Sequence, residues 1–299
     1  MATLLLVDGH AYAYRAFYAI RKLTAPDGKP TNAIYGFVKM LSRLRTLVAP
    51  SHLAVIWDGG LSAERMEALP AYKAQRPAMP DDLDTQIGDI QEYLEAAGIP
   101  SLQHPGVEAD DIIATLARQA AADDARVVIA SSDKDFFQLI GPAIGLLNPA
   151  EKSERVWNES DVQNKTGVLP GQIVDWLSLI GDAVDNIPGV AGVGPKTAAG
   201  LLNEFGSLDA IYARLAEVSS DRLRTALVEA GAAVRRNQKL IRLDDGLAGL
   251  GRWDNLINGG ADLEKLFGQF QRWGFKSLAA DVAALRARQG ELFGALHGA

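Results

Sequence analysis

The sequence predicts an α/β protein, with a central and mostly parallel β-sheet flanked by helices and a mainly helical region after it. Apolar runs of five or six residues, each followed by turn-forming residues, are typical of buried strands and occur at 3–7, 52–57 and 126–130. Stretches with helical spacing of apolar residues separate these runs, and such an alternation favours parallel strands joined by right-handed crossovers. We expect an α/β core over 1–169 and a mostly helical region over 170–299, because the composition changes between them.

The composition is that of an ordinary globular protein. Of the 299 residues, 48% are hydrophobic and 22% are charged, and there is no cysteine. The absence of cysteine excludes disulfides, thiolate metal sites and cysteine nucleophiles. No apolar run has the length of a membrane span, and the first residues do not have the pattern of a signal peptide. We therefore expect a cytoplasmic protein without a membrane partner.

A strand followed by two helices is expected at the start of the chain. The apolar run at 3–7 ends in Asp8 and Gly9, a pair that favours a sharp turn. We expect a helix at 12–20 and a longer one at 33–48, where apolar residues recur at helical spacing. The next apolar run is then the second strand of the sheet.

Each predicted strand leads into an aspartate, namely Asp8, Asp58 or Asp133. The carboxyl ends of parallel strands lie along one edge of a sheet, where α/β proteins place their functional sites. Taken singly, each aspartate is better explained as a turn residue. Three of them at equivalent strand ends are not, and we expect these carboxylates to converge.

Three more acidic residues, Glu108, Asp110 and Asp111, stand at the start of a predicted helix. A helix N-terminus stabilises one anion by only about 0.3–1 kcal/mol. Three carboxylates so close together therefore need a cation among them, and hard divalent cations prefer oxygen ligands. Glu108 and Asp111 are three residues apart and share a helix face, whereas Asp110 points away from it. A solvated acidic first turn is the alternative for this segment taken alone.

The segment 59–80 interrupts the alternation of strands and helices, and we call it the basic flap. It contains Arg65, Lys73 and Arg76, with Tyr72 among them. Segments of this length between regular elements are usually functional or mobile. We interpret the flap as a cover over the acidic site, whose cations bind a phosphodiester backbone and whose tyrosine offers a stacking face for a base. A solvated amphipathic excursion is the alternative.

Another pair of carboxylates, Asp182 and Asp185, lies between a predicted helix and a glycine-rich stretch at 189–194. This stretch is not a phosphate-binding P-loop, because Pro195 stands between its last glycine and the following lysine and no strand precedes it. A helix–hairpin–helix over 172–205 fits the pattern better.

In such a motif, Val190 and Val193 would anchor the hairpin in the core, while Gly192 and Gly194 let backbone N–H groups approach a phosphate. The proline suits the first turn of the next helix, whose N-terminus favours anions. A device of this kind holds a DNA backbone without reading its sequence.

Six motifs, in this order along the chain, resemble the 5′→3′ exonuclease and flap endonuclease family, in particular the amino-terminal nuclease domain of bacterial DNA polymerase I. The motifs are Val-Asp-Gly (7–9), Trp-Asp-Gly (57–59), Tyr-Lys-x-x-Arg (72–76), Glu-Ala-Asp-Asp (108–111), Ser-Asp-Lys-Asp (132–135) and Gly-Asp-x-x-Asp-Asn-Ile-Pro-Gly-Val-x-Gly-Val-Gly-x-Lys-Thr-Ala (181–198). The resemblance covers nearly the whole chain. It implies a PIN-like nuclease core that hydrolyses DNA phosphodiester bonds as an exonuclease and a flap endonuclease, in primer removal and DNA repair.

The resemblance also implies a divalent-metal site. Its ligands would be nine carboxylates: Asp8, Asp58, Glu108, Asp110, Asp111, Asp133, Asp135, Asp182 and Asp185. An all-oxygen site of this kind suits two or more Mg²⁺ or Mn²⁺ ions, which would activate a water and stabilise charge on the phosphate. Lys73 and Arg76 would add positive charge at the scissile phosphate.

The remaining implied contacts are with DNA and with a monovalent cation. The DNA-binding residues would be Tyr72, Gly192, Gly194, Lys196 and Thr197. The hairpin would hold K⁺ through backbone oxygens. Because the sequence stops where a polymerase would be attached, we expect a stand-alone nuclease that works with a separate DNA polymerase in trans.

Two other classes of protein share part of this pattern. Other phosphate hydrolases, and RNA-cleaving nucleases with an acidic α/β core, account for the strand-end aspartates but not for the glycine hairpin at 189–194. A non-catalytic DNA-binding protein is disfavoured, because nine carboxylates would repel phosphate. The net charge of −7 does not exclude DNA, since these nine charges belong to the predicted site and bound cations would offset them.

Overall fold

The computed structural model describes residues 1–149, 151 and 154–297. The strands are β1 (Thr3–Asp8), β2 (His52–Trp57), β3 (Ser101–Gln103), β4 (Arg126–Ala130), β5 (Ile144–Leu147), β6 (Gly181–Asp182) and β7 (Ile187–Pro188). The α-helices are α1 (Gly9–Ala19), α2 (Asn32–Val48), α3 (Ala63–Ala68), α4 (Asp81–Ala96), α5 (Ala109–Ala122), α6 (Glu159–Thr166), α7 (Ile173–Ile180), α8 (Pro195–Phe205), α9 (Leu208–Ala213), α10 (Asp221–Ile241), α11 (Leu263–Arg272) and α12 (Lys276–His297). Short 3₁₀ helices lie at Lys134–Leu139, Pro170–Gln172, Leu215–Glu217 and Trp253–Asn255.

The first five strands form one sheet in the order β3-β2-β1-β4-β5. The β1–β2 pair and the β4–β5 pair both run parallel. The side chains of the longer strands are buried, as is usual where helices cover both faces of a parallel sheet. The predicted α/β fold with a central parallel sheet is therefore confirmed. A separate antiparallel pair is formed by β6 and β7.

The chain divides into two compact units. We call the first the β4 unit; it comprises Met1, Asp58–Ala78 and Gln103–Trp253. The second, the β1 unit, comprises Ala2–Trp57, Met79–Leu102 and the residues from Asp254 onward. The boundary near residue 169 that the sequence suggested stays a prediction.

Within the β1 unit, α1 and α2 approach each other closely because small residues face one another. A Cβ atom at Gly36 would lie 2.8 Å from the Cβ of Ala16, so only glycine permits this packing. The buried apolar side chains of α2 recur at helical spacing: Ile34, Phe37, Leu41 and Leu44. The side chain of Gln86 is also buried, and its oxygen accepts a hydrogen bond from the backbone N–H of Ala33 (2.7 Å). This contact satisfies a donor in the first turn of α2.

Within the β4 unit, α10 holds the segment that carries Asp182 and Asp185. Asn237 of α10 is fully buried. Its Nδ2 donates to the backbone oxygens of Ser178 (3.2 Å) and Pro188 (2.7 Å). The last turn of α7, which leads into β6, and the end of β7 are thereby fixed to one helix.

Among the described residues, no helix is at once long enough and apolar enough to cross a membrane.

Candidate metal centre

Three carboxylates of the β4 unit meet in a buried cluster. Asp135, Asp182 and Asp185 each offer one oxygen, and these oxygens lie within 4.8 Å of one another. Asp135 belongs to the 3₁₀ helix that follows β4, whereas the other two belong to the β6–β7 hairpin. Asp135 is thus brought together with two residues that lie 47 and 50 positions further along the sequence, three carboxylates that the family resemblance implied to be metal ligands.

The β6–β7 hairpin reaches this position because two glycines, one at each end, let its backbone segments approach each other closely. A Cβ atom at Gly181, where φ is +77°, would lie 2.4 Å from the backbone nitrogen of Gly189. Likewise, a Cβ at Gly189 would lie 2.3 Å from the carbonyl of Ile180. Side chains at either position would open the hairpin and displace Asp182.

The electrostatics of the cluster fit a divalent cation. Burial, and then the negative charges of Asp133, Asp185 and Asp182, raise the pKa of Asp135 well above its usual range. Its Oδ1 is buried and accepts no hydrogen bond from any residue that the structure describes. Buried oxygens without a partner are unusual, and oxygens of this type are the ligands that Mg²⁺ and Mn²⁺ prefer. The donor set therefore fits the predicted ion.

Asp133 supports the same cluster from the turn after β4. Its Oδ1 accepts a hydrogen bond from the backbone N–H of Asp135 (2.9 Å) and so caps the 3₁₀ helix. Burial and the charges of Asp185 and Asp182 raise its pKa. Lys134 offsets part of this charge through an ion pair with Asp182 (3.1 Å).

Asp58, at the end of β2, fixes the start of α5. Its Oδ1 accepts from the backbone N–H of Ala109 (2.9 Å), in the first turn of that helix. Gly59 follows at a point where the chain touches a neighbouring loop, and a Cβ there would lie 1.7 Å from the carbonyl oxygen of His104. The aspartate–glycine pair thus serves both as a helix cap and as a close backbone contact.

The side chain of Arg65 lies between Glu108 and Asp111. Its Nη1 and Nη2 donate to the two oxygens of Asp111, each at 2.7 Å, and Nη1 also donates to Glu108 Oε1 (3.0 Å). Glu108 precedes α5 and Asp111 lies in its first turn, so the shared helix face that the sequence predicts is the face that contacts the arginine. Although burial opposes ionisation, these carboxylates raise the pKa of Arg65.

Glu108 is surrounded by donors. Its Oε1 accepts from Arg65 and from the backbone N–H of Ser62 (3.2 Å). Its Oε2 accepts from the hydroxyl of Tyr72 (3.1 Å) and from Lys73 Nζ. Burial opposes ionisation of Glu108, but the charges of Lys73 and Arg65 lower its pKa. All four lone-pair positions of this carboxylate are therefore occupied by protein donors.

The end of the basic flap also reaches Asp185. Arg76 Nη2 contacts Asp185 Oδ1 at 2.7 Å, and Lys73 Nζ lies 3.9 Å from Asp185 Oδ2. The backbone N–H of Lys73 donates to the carbonyl oxygen of Asp185 (3.0 Å), while φ of Lys73 is +53°. Burial opposes protonation of Lys73, but Tyr72, Glu108 and Asp185 raise its pKa, so it stays charged. Tyr72 is itself buried, and the centre of its ring lies 4.9 Å from Lys73 Nζ.

Asp110 and Asp8, like four other predicted ligands, lie outside the group of three converging carboxylates. Asp110 lies in the first turn of α5 and acts electrostatically on Lys73. Asp8 ends β1 in the other unit, where its Oδ1 accepts from the backbone N–H of Ala11 (3.0 Å) and caps α1. The roles of all nine predicted carboxylates as metal ligands stay predictions.

The glycine hairpin has the features expected of a helix–hairpin–helix. Val190 and Val193 are buried, as predicted. Gly192 has a φ of +76° and no atom within 4 Å of where a Cβ would stand. Gly194 precedes α8, whose first residue is Pro195. Two further predicted DNA contacts, Lys196 and Thr197, are exposed in the first turn of that helix.

Neither the central position of Arg65 nor the contribution of Asn237 was predicted from the sequence. One signal did point to Arg65, because Glu108 and Asp111 on one helix face require a cation and the flap supplies three. The choice among those three depends on the backbone of residues 240–242, which no local pattern reveals. Asn237 lies in a region to which the sequence assigned no chemistry.

Comparisons with known proteins divide the chain in two. Residues 3–167 match the family described as 5′-3′ exonuclease, N-terminal resolvase-like domain. Residues 168–264 match the family described as 5′-3′ exonuclease, C-terminal SAM fold. Together, the two matches cover most of the chain.

Similar curated proteins include nucleases and polymerases. A 5′-3′ exonuclease of Aquifex aeolicus is 38% identical over 295 residues, covering 98% of this chain and 100% of the relative. A DNA polymerase I of Pseudomonas aeruginosa is 47% identical over 226 residues, covering 75% of this chain and 24% of the relative. The match thus spans about a quarter of that polymerase.

Solved structures with the same fold include nucleases bound to DNA. A bacteriophage T5 flap endonuclease, in a complex with DNA and metal ions, superposes with a TM-score of 0.67 at 21% identity and covers 94% of this chain and 98% of its own. The catalytic core of Rad2, in complex with a DNA substrate, superposes with a TM-score of 0.65 at 19% identity and covers 94% and 92%. At these identities the likeness establishes the fold.

Proposed function

Because the chain belongs to the 5′-3′ exonuclease family, we propose that it hydrolyses DNA phosphodiester bonds at 5′ ends and at the base of 5′ flaps, with divalent metal ions held by its acidic cluster. The chain is a nuclease of the exonuclease and flap endonuclease type. The observation that carries the proposal is the convergence of Asp135, Asp182 and Asp185 in a buried site. The biological setting would be primer removal in replication and DNA repair.

The cluster would hold the ions with its converging oxygens, of which Asp135 Oδ1 accepts no hydrogen bond from the described residues. Asp135, Asp182 and Asp185 would contribute first, since their oxygens already converge, and Asp133, which interacts electrostatically with all three, would add a further carboxylate. When bound, paired Mg²⁺ or Mn²⁺ ions activate a water and stabilise the charge that develops on the phosphate. Burial and the mutual repulsion of the carboxylates disfavour their ionised forms. A bound cation would relieve this repulsion, which favours strong binding of cations at this site.

Lys73 and Arg76 would act on the substrate side of the cluster. Both are cationic, and both lie against carboxylates of the site. A phosphate that enters beside Asp185 would meet these two charges, which would stabilise the negative charge of the transition state. Arg76 is the more exposed of the two, with 41% of its side chain accessible against 4% for Lys73.

DNA would be held mainly by its backbone. The N–H groups near Gly192 and Gly194, and the side chains of Lys196 and Thr197, would contact phosphates, and backbone oxygens of the hairpin would bind K⁺. A stacking contact between Tyr72 and a base would require the flap to move, because the ring is buried and its hydroxyl is bound to Glu108. A separate DNA polymerase acting in trans would be the partner of such a nuclease.

A 5′-flap duplex, labelled at each end in turn, tests the proposal. With Mg²⁺ or Mn²⁺ we expect cleavage near the base of the flap and release of short products from a recessed 5′ end, and with chelator neither. A matched RNA flap and a small phosphomonoester test the other nuclease and phosphatase classes. Cleavage of those substrates with no cleavage of the DNA flap would overturn the proposal.

A further inference from the structure

Arg65 uses every N–H group of its guanidinium. Besides its three bonds to Glu108 and Asp111, its Nε donates to the backbone oxygen of Leu240 (3.0 Å) and its Nη2 to that of Arg242 (3.2 Å). A guanidinium has five such donors in a fixed plane. The side chain is 9% exposed, so the arginine is a buried and fully bonded link between three segments of one unit: the flap, the start of α5 and the end of α10.

The acceptors of these bonds are themselves fixed. The backbone carbonyls belong to the end of α10 and the residues after it. Asp111 receives a further hydrogen bond from the backbone N–H of Asp244 (2.9 Å). The carboxylate of Asp111 is therefore held on one side by the guanidinium and on the other by the chain after α10.

Buried ion pairs of this type do not in general increase stability, because the loss of solvation offsets the attraction. Their geometric effect is larger, since a planar fork bonded to two oxygens fixes both distance and orientation. Lysine cannot substitute, because its ammonium group offers three donors from a single point and cannot bridge five acceptors. The arrangement at Arg65 is thus suited to holding other groups in place.

We propose that Arg65 is a positioning residue of the nuclease site: it fixes Glu108 against the carbonyls of Leu240 and Arg242, and Glu108 in turn fixes Lys73. The inference rests on the proposed function, and assigns to Arg65 no contact with substrate or metal. Glu108 Oε1 faces the arginine while its Oε2 faces Lys73 and Tyr72. Loss of the arginine would free the carboxylate to rotate and would release the lysine.

Three variants test this assignment. Arg65→Lys keeps the charge but removes the fork, and Asp111→Asn keeps the shape of the acceptor but removes the bidentate ion pair. Arg118→Lys is the matched control, because Arg118 donates its Nε to Asp245 (3.1 Å) in a half-exposed pair of the same unit. Thermal unfolding shows which variants are folded.

Two readouts separate positioning from general damage. The first is single-turnover cleavage of the 5′-flap duplex beside DNA affinity in Ca²⁺. For Arg65→Lys we expect the rate to fall about 10- to 100-fold, as for losses of supporting residues at metal sites, with affinity changed less than threefold. The second is the rate at which acetic anhydride modifies Lys73, measured by mass spectrometry without DNA or metal.

Modification of Lys73 should be faster in Arg65→Lys and in Asp111→Asn than in the parent, and unchanged in Arg118→Lys. The cleavage rate of the double variant Arg65→Lys/Asp111→Asn should be no lower than that of the slower single variant, since both changes break the same link. A folded Arg65→Lys with the parent's cleavage rate, or with Lys73 as protected as in the parent, would overturn the inference. Should that variant not fold, the same two outcomes apply to Asp111→Asn. If the parent cleaves no flap, the proposed function fails, whereas the protection of Lys73 still decides the role of Arg65.

Discussion

Asp135 is a costly residue for the protein to keep. It is buried beside like charges, its pKa is raised, and one of its oxygens has no hydrogen-bond partner among the described residues. A residue of this kind reduces stability unless a ligand compensates it. Such a loss of stability is typical of residues kept to bind a ligand. Glu108 differs from Asp135 in this respect, because its oxygens are occupied by protein donors.

Asp135→Asn should stabilise the protein when metal is absent. Removing this charge is expected to raise the free energy of unfolding, because burial and the neighbouring carboxylates disfavour the ionised form of Asp135. Added Mn²⁺ should then raise the melting temperature of the parent more than that of the variant. Differential scanning calorimetry in chelator and in Mn²⁺ makes the comparison, with the surface change Asp27→Asn as control. A parent that Mn²⁺ does not stabilise would contradict the assignment of this cluster as a metal site.

Lys73→Ala should lower turnover more than it weakens DNA binding. Loss of one cation at the reacting phosphate is expected to cost about 2–4 kcal/mol in the transition state. Single-turnover cleavage and DNA affinity in Ca²⁺ are measured in parallel, and Lys165→Ala, at an exposed position of α6, is the control. Equal single-turnover rates in variant and parent would remove Lys73 from the mechanism.

For the candidate site, the sequence predicted which residues come together better than it predicted which groups they bond to. Asp135, Asp182 and Asp185 were all expected to be metal ligands, and the structure brings them together. The partners of Arg65 could not be predicted, because they include two backbone carbonyls. Backbone groups carry no residue-specific signal in a sequence.

The strands and short helices show how far local sequence patterns suffice to predict regular elements. Strands β2 and β4 have the predicted limits because each is a continuous apolar run between turn residues. In contrast, β3 has three residues with little apolar character, and α3 is a six-residue helix within the flap. Neither was anticipated, since such short elements owe their existence to neighbours and to caps such as Ser62, which accepts from the N–H of Arg65.

Gly192→Val should weaken the binding of duplex DNA whatever its base sequence. The position is open, so the added side chain meets no protein atom but would stand where a phosphate approaches. It also imposes strain at positive φ, about 1–2 kcal/mol for a residue with a Cβ. Gly249→Val isolates that strain, because Gly249 has a φ of +82° and equally open surroundings away from the hairpin.

Binding of a flap duplex in Ca²⁺ at several salt concentrations measures the effect. We expect Gly192→Val to reduce affinity several-fold and Gly249→Val to leave it unchanged, with similar losses of stability in both. If both variants bind as the parent does, the hairpin does not hold DNA.

The molecule as a whole has a net charge of −7, although the function proposed for it requires it to bind a polyanion. Its acidic charge is concentrated in part at the proposed metal cluster, where bound cations would reverse the local potential. DNA binding by this protein should therefore depend on divalent ions more than is usual for a basic DNA-binding protein. The overall charge, which a sequence gives at once, is for this reason a poor guide to the partner.

Asp185→Ala should leave flap DNA bound, and more tightly in chelator, because one negative charge is gone. Cleavage should fall sharply and require a higher Mg²⁺ concentration, since the proposed metal site loses one of its three converging carboxylates. Metal titration of the cleavage rate, beside affinity measured with Ca²⁺, distinguishes the two effects. Asp209→Ala, at an 80% exposed side chain, is the control. Normal cleavage by Asp185→Ala at low Mg²⁺ would mean that this aspartate only shapes the turn.

The bonds of Arg65 also bear on how the chain acquires its activity. Arg65 and Leu240 are 175 positions apart, and contacts of such separation form late because a long loop must close first. During synthesis the flap and α5 leave the ribosome long before residue 240 is made. We expect that the growing chain does not cleave nearby DNA until then. In refolding experiments, Lys73 should accordingly become protected from acetylation only in the slowest phase, and protection in an early phase would contradict this order of events.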